Sequence, residues 1–155
     1  MPSDPFASAK FRDPLPIFKF LVELKAGIQV GNFQQVSGLG QTQDVIEHKA
    51  ATKAGMVIVQ KIPGYVNFSD IVLKRGLTED KSAWEWRQKI VDGKVNDARS
   101  DGSVVAYNQA GEESARWNFT NAWPTKVATS PVKADGKDVV MEELTLAVES
   151  LVRAS

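Results

Sequence analysis

The sequence contains no cysteine among its 155 residues. This absence excludes disulfide bonds, thiolate zinc sites, iron–sulfur clusters and catalytic cysteines. It contains a single histidine, His48, which lies at the end of a predicted strand beside Lys49 and has no GxSxG motif to accompany it. One histidine is too few for a multi-histidine metal site and leaves little for histidine-based catalysis. We therefore predict no cofactor, no bound metal and no enzymatic activity.

The chain also has no excess charge of one sign, because 19 Lys and Arg residues balance 19 Asp and Glu residues. Nucleic-acid binders normally carry a basic surplus, whereas a net charge near zero permits dense self-association. Apolar runs fall far short of the ~18–20 residues that span a bilayer, so we expect no membrane insertion. The N-terminus lacks the charged and apolar regions of a secretory signal, and we expect folding and assembly in the cytoplasm.

What the chain does have is an ordinary globular composition, with 43% hydrophobic and 25% charged residues. Four of the seven prolines fall within residues 1–16. Because proline lacks an N–H and disfavours helix at the residue before it, we predict an extended N-terminal arm over 1–16. Phe6 and Phe11 are its apolar anchors. The remainder, 17–155, is predicted to be one domain.

Alternation of apolar and polar residues predicts a mainly β protein. The clearest examples lie near the two ends, where one strand face carries Phe18, Phe20, Val22 and Leu24 and another carries Leu144, Leu146 and Val148. A further hairpin is predicted from strands over 104–109 and 114–121, and we expect the segment 121–124 to break it.

A long hairpin is predicted over 42–62, with strands 42–48 and 56–62 around a turn. The run Met56-Val57-Ile58-Val59 is apolar on both faces, so it needs cover on both sides. The run is therefore either central in the domain or covered by a neighbouring subunit. Pro63-Gly64 is expected to end the second strand.

One helix is predicted after Thr78-Glu79-Asp80, which offers capping side chains and early negative charge. The apolar residues that follow are spaced three to four apart, and Gly93 is the expected stop. We predict that this helix fills the core with Trp84, Trp86 and Ile90.

The ordered landmarks of the chain resemble the tail tube proteins of contractile bacteriophages and of phage-tail-like contractile injection systems. The resemblance covers roughly 17–152. The landmarks are Phe18-Lys19-Phe20-Leu21-Val22, Phe33-Gln34-Gln35-Val36-Ser37-Gly38-Leu39, Lys61-Ile62-Pro63-Gly64, Ile71-Val72-Leu73-Lys74-Arg75-Gly76, Trp84-Glu85-Trp86, Trp117-Asn118-Phe119-Thr120-Asn121-Ala122-Trp123-Pro124 and Glu142-Glu143-Leu144-Thr145-Leu146-Ala147-Val148-Glu149.

This resemblance implies a two-sheet antiparallel β-barrel with one flanking helix. It also implies homohexameric rings that stack into a hollow tube inside a contractile sheath, which drives the tube through a target envelope. The implied partners are further copies of the chain, the sheath protein, baseplate or tube-initiator proteins, a terminator cap, and DNA or protein cargo in the lumen. The final location would be an extracellular or cell-associated particle or a virion tail.

The resemblance carries no catalytic residues. It places the N-terminal arm and the hairpin at contacts between subunits and between rings, with the hairpin residues Val45, Ile46, Met56, Val57, Ile58 and Val59 at these contacts. Polar strand faces, for instance at Thr145 or Lys19, would line the lumen. An extracellular injection system, a phage tail and a tail-like bacteriocin remain open as the parent machine, and a monomeric ligand-binding β-barrel is the alternative function.

Overall fold

The structure is a computed structural model that describes residues 14–25, 29–131, 134, 136 and 139–155. Two short helices and ten strands follow one another along these residues. They are β1 (Lys19–Leu24), β2 (Gln29–Phe33), β3 (Gln35–Ser37), β4 (Gln41–Ala51), β5 (Val57–Phe68), β6 (Ile71–Gly76), α1 (Ser82–Val91), α2 (Val95–Ala98), β7 (Ser100–Tyr107), β8 (Glu113–Thr129), β9 (Met141–Ala147) and β10 (Ser150–Arg153).

The barrel consists of two antiparallel sheets that have the strand β8 in common. The first sheet has the order β2-β1-β7-β8-β10 and the second has the order β8-β9-β6-β3. The long strand β8 belongs to both sheets, and β2 leads into β3 through the single residue Gln34. This arrangement confirms the predicted mainly β, two-sheet antiparallel barrel or sandwich with one main helix.

The hairpin pairing of β8 with β7 ends within 121–124 as predicted, but the strand itself continues and bends from one sheet into the other. Asn121 adopts a positive φ of 48°, and its backbone N–H donates to Asp101 Oδ1 at 2.9 Å. Pro124 lies at a register shift, where its missing N–H costs no ladder bond. Residues before the bend pair with β7 and those after it pair with β9.

The space between the sheets is filled by apolar side chains from both. Leu144 and Leu146 of β9 are fully buried, as the alternation predicts, and Val22 of β1 is buried with them. Phe18 departs from the predicted pattern, because it precedes β1 and its side chain is 68% exposed. Other members of the cluster are Phe33, Ile71, Leu73, Val104, Phe119 and Leu151.

Helix α1 packs one face against this core. The backbone N–H of Ser82 donates to Asp80 Oδ1 at 2.9 Å, which satisfies one of the free donors at the helix start. Trp86 is buried and its indole N–H donates to the Ala98 carbonyl at 2.6 Å, while Ile90 is half-buried against the cluster. Trp84 is 45% exposed, so its predicted core position is wrong. Residues two apart on a helix differ by about 200° in direction, which prevents both tryptophans from facing the core.

A charged pair lies inside the barrel, and the sequence pattern did not predict it. Arg75 of β6 is 5% exposed and Glu142 of β9 is 1% exposed, with 3.3 Å between Arg75 Nε and Glu142 Oε2. Arg75 Nη1 also donates to the Val30 carbonyl at 3.2 Å, and the guanidinium stacks over the Phe33 ring at 4.9 Å. Among the described residues, Arg75 Nη2 and Glu142 Oε1 have no hydrogen-bond partner.

The buried pair makes a stability prediction. Glu142→Ala leaves the Arg75 charge buried without its carboxylate, and we expect the free energy of unfolding to fall by about 3–5 kcal/mol in urea denaturation. The double variant Arg75→Met with Glu142→Leu removes both charges and should recover most of that loss. A single-variant loss below about 1 kcal/mol would show that the pair is not desolvated as described.

Candidate assembly surface

The hairpin formed by β4 and β5 extends the edge of the second sheet beyond the barrel. Strand β3 leads into β4 through residues 38–40, and β5 leads into β6 through residues 69–70. The pairing of β3 with β6 therefore continues as the pairing of β4 with β5. Gly38 has a positive φ of 80°, and a Cβ at this position would collide with the Asp70 carbonyl. The junction requires glycine because the two chains approach closely here.

A short turn closes the far end of the hairpin. The Thr52 N–H donates to the Met56 carbonyl at 2.8 Å, and the Gly55 N–H donates to the Thr52 carbonyl at 2.9 Å. Gly55 supplies a positive φ of 79° at the turn. The predicted hairpin is present, although β5 begins at Val57 and Met56 lies just before it.

Pro63-Gly64 does not end the second strand as predicted, because β5 continues to Phe68. The register shifts between Gln43 and Val45, directly opposite this dipeptide. Such a bulge accommodates a proline, whose N–H is missing from the ladder. The Gln43 side-chain amide donates to the Gly64 carbonyl at 3.1 Å and holds the bulge closed.

More than half of the exposed large hydrophobic side chains among the described residues lie on the hairpin. Nine of the seventeen large hydrophobic side chains that are exposed lie on it, with exposed fractions from 41% to 83%. They are Val45, Ile46, Met56, Val57, Ile58, Val59, Ile62, Tyr65 and Val66. All six hairpin residues predicted at subunit contacts are among these nine.

Both faces of the hairpin are apolar. Directly paired residues share a face, so Ile46, Ile58 and Ile62 lie on one side. Val45, Val57 and Val59 lie on the other side. Within the described ranges, β4 pairs only with β5, which leaves the outer edge of each strand free to pair.

The root of the hairpin is fixed to the barrel while its tip projects. The Gln41 side-chain amide donates to the Leu151 carbonyl of β10. Leu39 and Phe68, which flank the root, pack against the core cluster. The remaining apolar side chains of the hairpin extend beyond this anchored base.

The other predicted contact residues, Phe6 and Phe11, lie outside the described residues. The chain that follows them is apolar and exposed at Leu15, Ile17 and Phe18. This segment runs directly into β1. An exposed apolar segment before β1 thus accompanies the exposed hairpin.

A polar cluster holds β6, the strand that carries the hairpin into the barrel, against the start of α1. Asp80 Oδ2 lies 3.6 Å from Arg75 Nη1 while Asp80 Oδ1 caps Ser82. Hydrogen bonds from the backbone and side chain of Ser82, followed by the Arg75 charge, lower the pKa of Asp80 below its ordinary value of 3.8. Asp80 is therefore ionised throughout the neutral range.

The described residues show no grouping of three or more His, Asp or Glu side chains that would hold a metal ion. In the described part of the chain, no helix has the length and apolarity to cross a membrane.

The main feature of the described surface is a projecting hairpin that is apolar on both faces and has free strand edges. This is typical of a structural subunit that assembles with other copies.

The comparisons with known proteins identify the family. The model of the T4-like virus tail tube protein gp19 family matches residues 16–152, nearly the whole chain. The chain belongs to this family of structural tail tube proteins, as the resemblance predicted. A comparison by sequence with curated proteins finds no match.

Solved structures show the same fold. A chain of an extracellular contractile injection system, the PVC sheath-tube complex in the extended state, is 26% identical with a TM-score of 0.73, and the match covers 94% of each chain. A chain of the anti-feeding prophage tube-terminating cap is 25% identical with a TM-score of 0.70, covering 93% of each chain. Hcp1 from Flavobacterium johnsoniae shares the fold at 15% identity and a TM-score of 0.52, covering 88% of this chain and 95% of Hcp1.

The Asp80 cluster predicts a pH-dependent contribution to stability. Because its pKa is lowered by folding, the ionised carboxylate stabilises the folded state above pH 3.8, and this contribution is lost as the pH falls through the lowered value. Asp80→Ala should reduce the free energy of unfolding by about 0.2–1 kcal/mol at pH 7, because the carboxylate is partly exposed to solvent, and the difference from wild type should shrink below pH ~3.8.

The measurement is urea denaturation at several pH values from 7 to 3. Asp80→Asn is the control, since it keeps an oxygen acceptor for the Ser82 N–H but cannot ionise. A difference between Asp80→Ala and wild type that stays constant over this range would contradict the role of the charge.

Proposed function

We propose that this chain is the inner tube protein of an extracellular contractile injection system and has no enzymatic activity. Six copies form a ring, rings stack into a hollow tube, and a surrounding sheath drives the tube into a target envelope to deliver cargo. The observation that carries this proposal is the hairpin, with its nine exposed apolar side chains on two faces. Such a surface is costly in water, and covering by another copy of the same chain would remove that cost.

The free energy gained by burying one hairpin can be compared with the free-energy cost of association. Full burial of a side chain such as Val or Ile contributes ~1.5–3 kcal/mol. If each of the nine side chains gains about half of that, one hairpin contributes roughly 7–13 kcal/mol. Association costs about 4–15 kcal/mol, so this contribution alone roughly balances the cost. Further contacts are therefore needed for stable tubes.

The N-terminal arm supplies such contacts in this proposal. Residues 1–16 form an arm outside the barrel domain of 17–155, and Phe6 and Phe11 dock on a neighbouring copy. The exposed Leu15, Ile17 and Phe18 support this assignment, because they continue the same apolar character up to β1. Head-to-tail contacts of this kind between identical subunits close into rings.

The choice of machine rests on sequence identity. The identities of 25–26% are to chains from an extracellular contractile injection system and from the anti-feeding prophage, whereas the Hcp1 match is 15% identical. Solved structures with this fold come from a sheath-tube complex, a tube-terminating cap and a baseplate. We propose equivalent partners here, with subunits assembled in the cytoplasm and the finished particle released.

The second sheet forms the inner wall of the ring in this proposal. The hairpin extends lengthwise from β3 and β6, and a neighbour that pairs with one of its free edges carries the β-structure into the next subunit, so that the second sheet runs around the ring axis. The core and the first sheet cover its apolar face. Because the outer circumference of a ring is the longer one, the bulky side takes the larger radius. The polar face of the second sheet, with Lys74, Lys126, Glu143 and Thr145, then faces the lumen.

The hairpin assignment predicts the effect of placing a charge on either face. Ile58→Asp and Val59→Asp should both give folded subunits, because these side chains are exposed in the single chain. Each buries an unpaired carboxylate on assembly, and we expect the concentration needed for tubes to rise at least about tenfold. Circular dichroism checks folding, and sedimentation with negative-stain microscopy measures tubes.

Val91→Asp is the matched control, because Val91 is an exposed apolar residue on α1, away from the hairpin. This variant should still form tubes at the wild-type concentration. Normal tubes from Ile58→Asp and Val59→Asp, or loss of tubes from all three variants alike, would contradict the assignment of the hairpin.

A further inference from the structure

The polar face of the second sheet has its own charge pattern. Inward residues of β6, such as Ile71 and Leu73, are fully buried, whereas Val72 and Lys74 alternate with them and point outward. Across the sheet, Lys74 pairs with Glu143, and Thr145 pairs with Lys126. Polar side chains thus cover a wall whose other side is the hydrophobic core.

Among the described residues, one cation on this face has no carboxylate partner. Lys126 Nζ lies 3.7 Å from Glu143 Oε1, while Lys74 forms no ion pair with any described residue. Two lysines and one glutamate give this face a formal charge of 2 − 1 = +1. These three side chains line a concave pocket with a volume of about 510 Å³, together with Gln35, Ser130 and Met141.

Assembly would multiply this small charge. A face that carries +1 in each subunit recurs around every ring and again in every stacked ring, so the inner wall becomes an array of cations. Charges in water are screened beyond ~8 Å at physiological salt. Cargo confined close to the wall lies within that distance, whereas molecules outside the tube do not.

We infer that this wall fits protein cargo with an acidic surface. The inference rests on the proposed function, because it requires the face to line a lumen. Double-stranded DNA carries one negative charge per ~1.7 Å, and a binder must neutralise many phosphates. One weakly cationic site per subunit, with Glu143 placed between the two lysines, does not meet that density. Acidic protein surfaces with scattered carboxylates match it better.

The first measurement locates the face. Because the chain has no cysteine, Thr145→Cys introduces a unique thiol for maleimide-linked gold. Electron microscopy of labelled tubes should show gold density inside the lumen. Gln88→Cys on the exposed side of α1 is the control and should place gold outside. Gold from Thr145→Cys on the outer surface would overturn the inference while leaving tube formation itself intact.

The second measurement tests the charge. Tubes are assembled with fluorescent peptides of equal length, one rich in Asp and Glu and one rich in Lys, or with a short DNA duplex, and are then washed. Wild-type tubes should retain the acidic peptide at least about fivefold more than the basic one, and the preference should vanish in ~1 M salt. The double variant Lys74→Glu with Lys126→Glu should reverse the preference.

Two further variants keep this test decisive. If the charge reversal blocks assembly, Lys74→Gln with Lys126→Gln should form tubes that lose most of the acidic preference. Lys89→Glu with Lys94→Glu changes exposed lysines near the end of α1 and should leave the preference unchanged. Equal retention of both peptides by wild-type tubes, or stronger retention of the DNA duplex, would overturn the inference. Failure of wild type to form tubes would instead contradict the proposed function.

Discussion

Among the residues that the structure describes, the hairpin β4–β5 leaves its apolar side chains uncovered, and the proposed assembly depends on this constraint. The barrel completes its own core between the two sheets, so it has no space left for Ile46, Ile58 or Ile62. A two-stranded ribbon is marginally stable in water by itself. The ribbon is held at its root by the second sheet, and we propose that another copy of the chain covers the rest. The tail tube family membership agrees with a structural use of this kind.

Burying the Arg75–Glu142 pair near the base of the hairpin costs desolvation free energy, and we interpret the pair as fixing the orientation of β6. A buried ion pair is weak support for stability, since its desolvation offsets much of its attraction. Arg75 nevertheless joins β6 to Glu142 of β9, to the Val30 carbonyl of β2 and to Asp80 before α1. A projecting element must leave the barrel in one direction if identical subunits are to form a regular ring. We interpret the Arg75 cluster as the constraint that fixes β6, and with it the root of the hairpin.

Much of the fold was predictable because alternation reports burial directly, as at Leu144 and Leu146. The wrong predictions concern residues whose local preference differs from the structure that strand pairing and packing impose on them. Pro63 predicts a strand end, yet a bulge accommodates it within β5, and near Asn121 the hairpin pairing ends while β8 itself bends into the second sheet. The prediction placed Trp84 in the core because tryptophan is largely apolar, and it did not consider the direction in which this side chain leaves the helix. Arg75 and Glu142 were missed because no local pattern distinguishes a buried charge pair from two solvated residues.

The central claim is that the hairpin becomes buried when copies of the chain assemble. Amide hydrogen exchange measures this directly, by comparing dispersed subunits with assembled tubes. We predict that residues 41–51 and 57–68 exchange rapidly in the subunit and slow by at least about tenfold in tubes, while β9 is protected in both. Equal exchange of the hairpin in subunits and tubes would contradict the account.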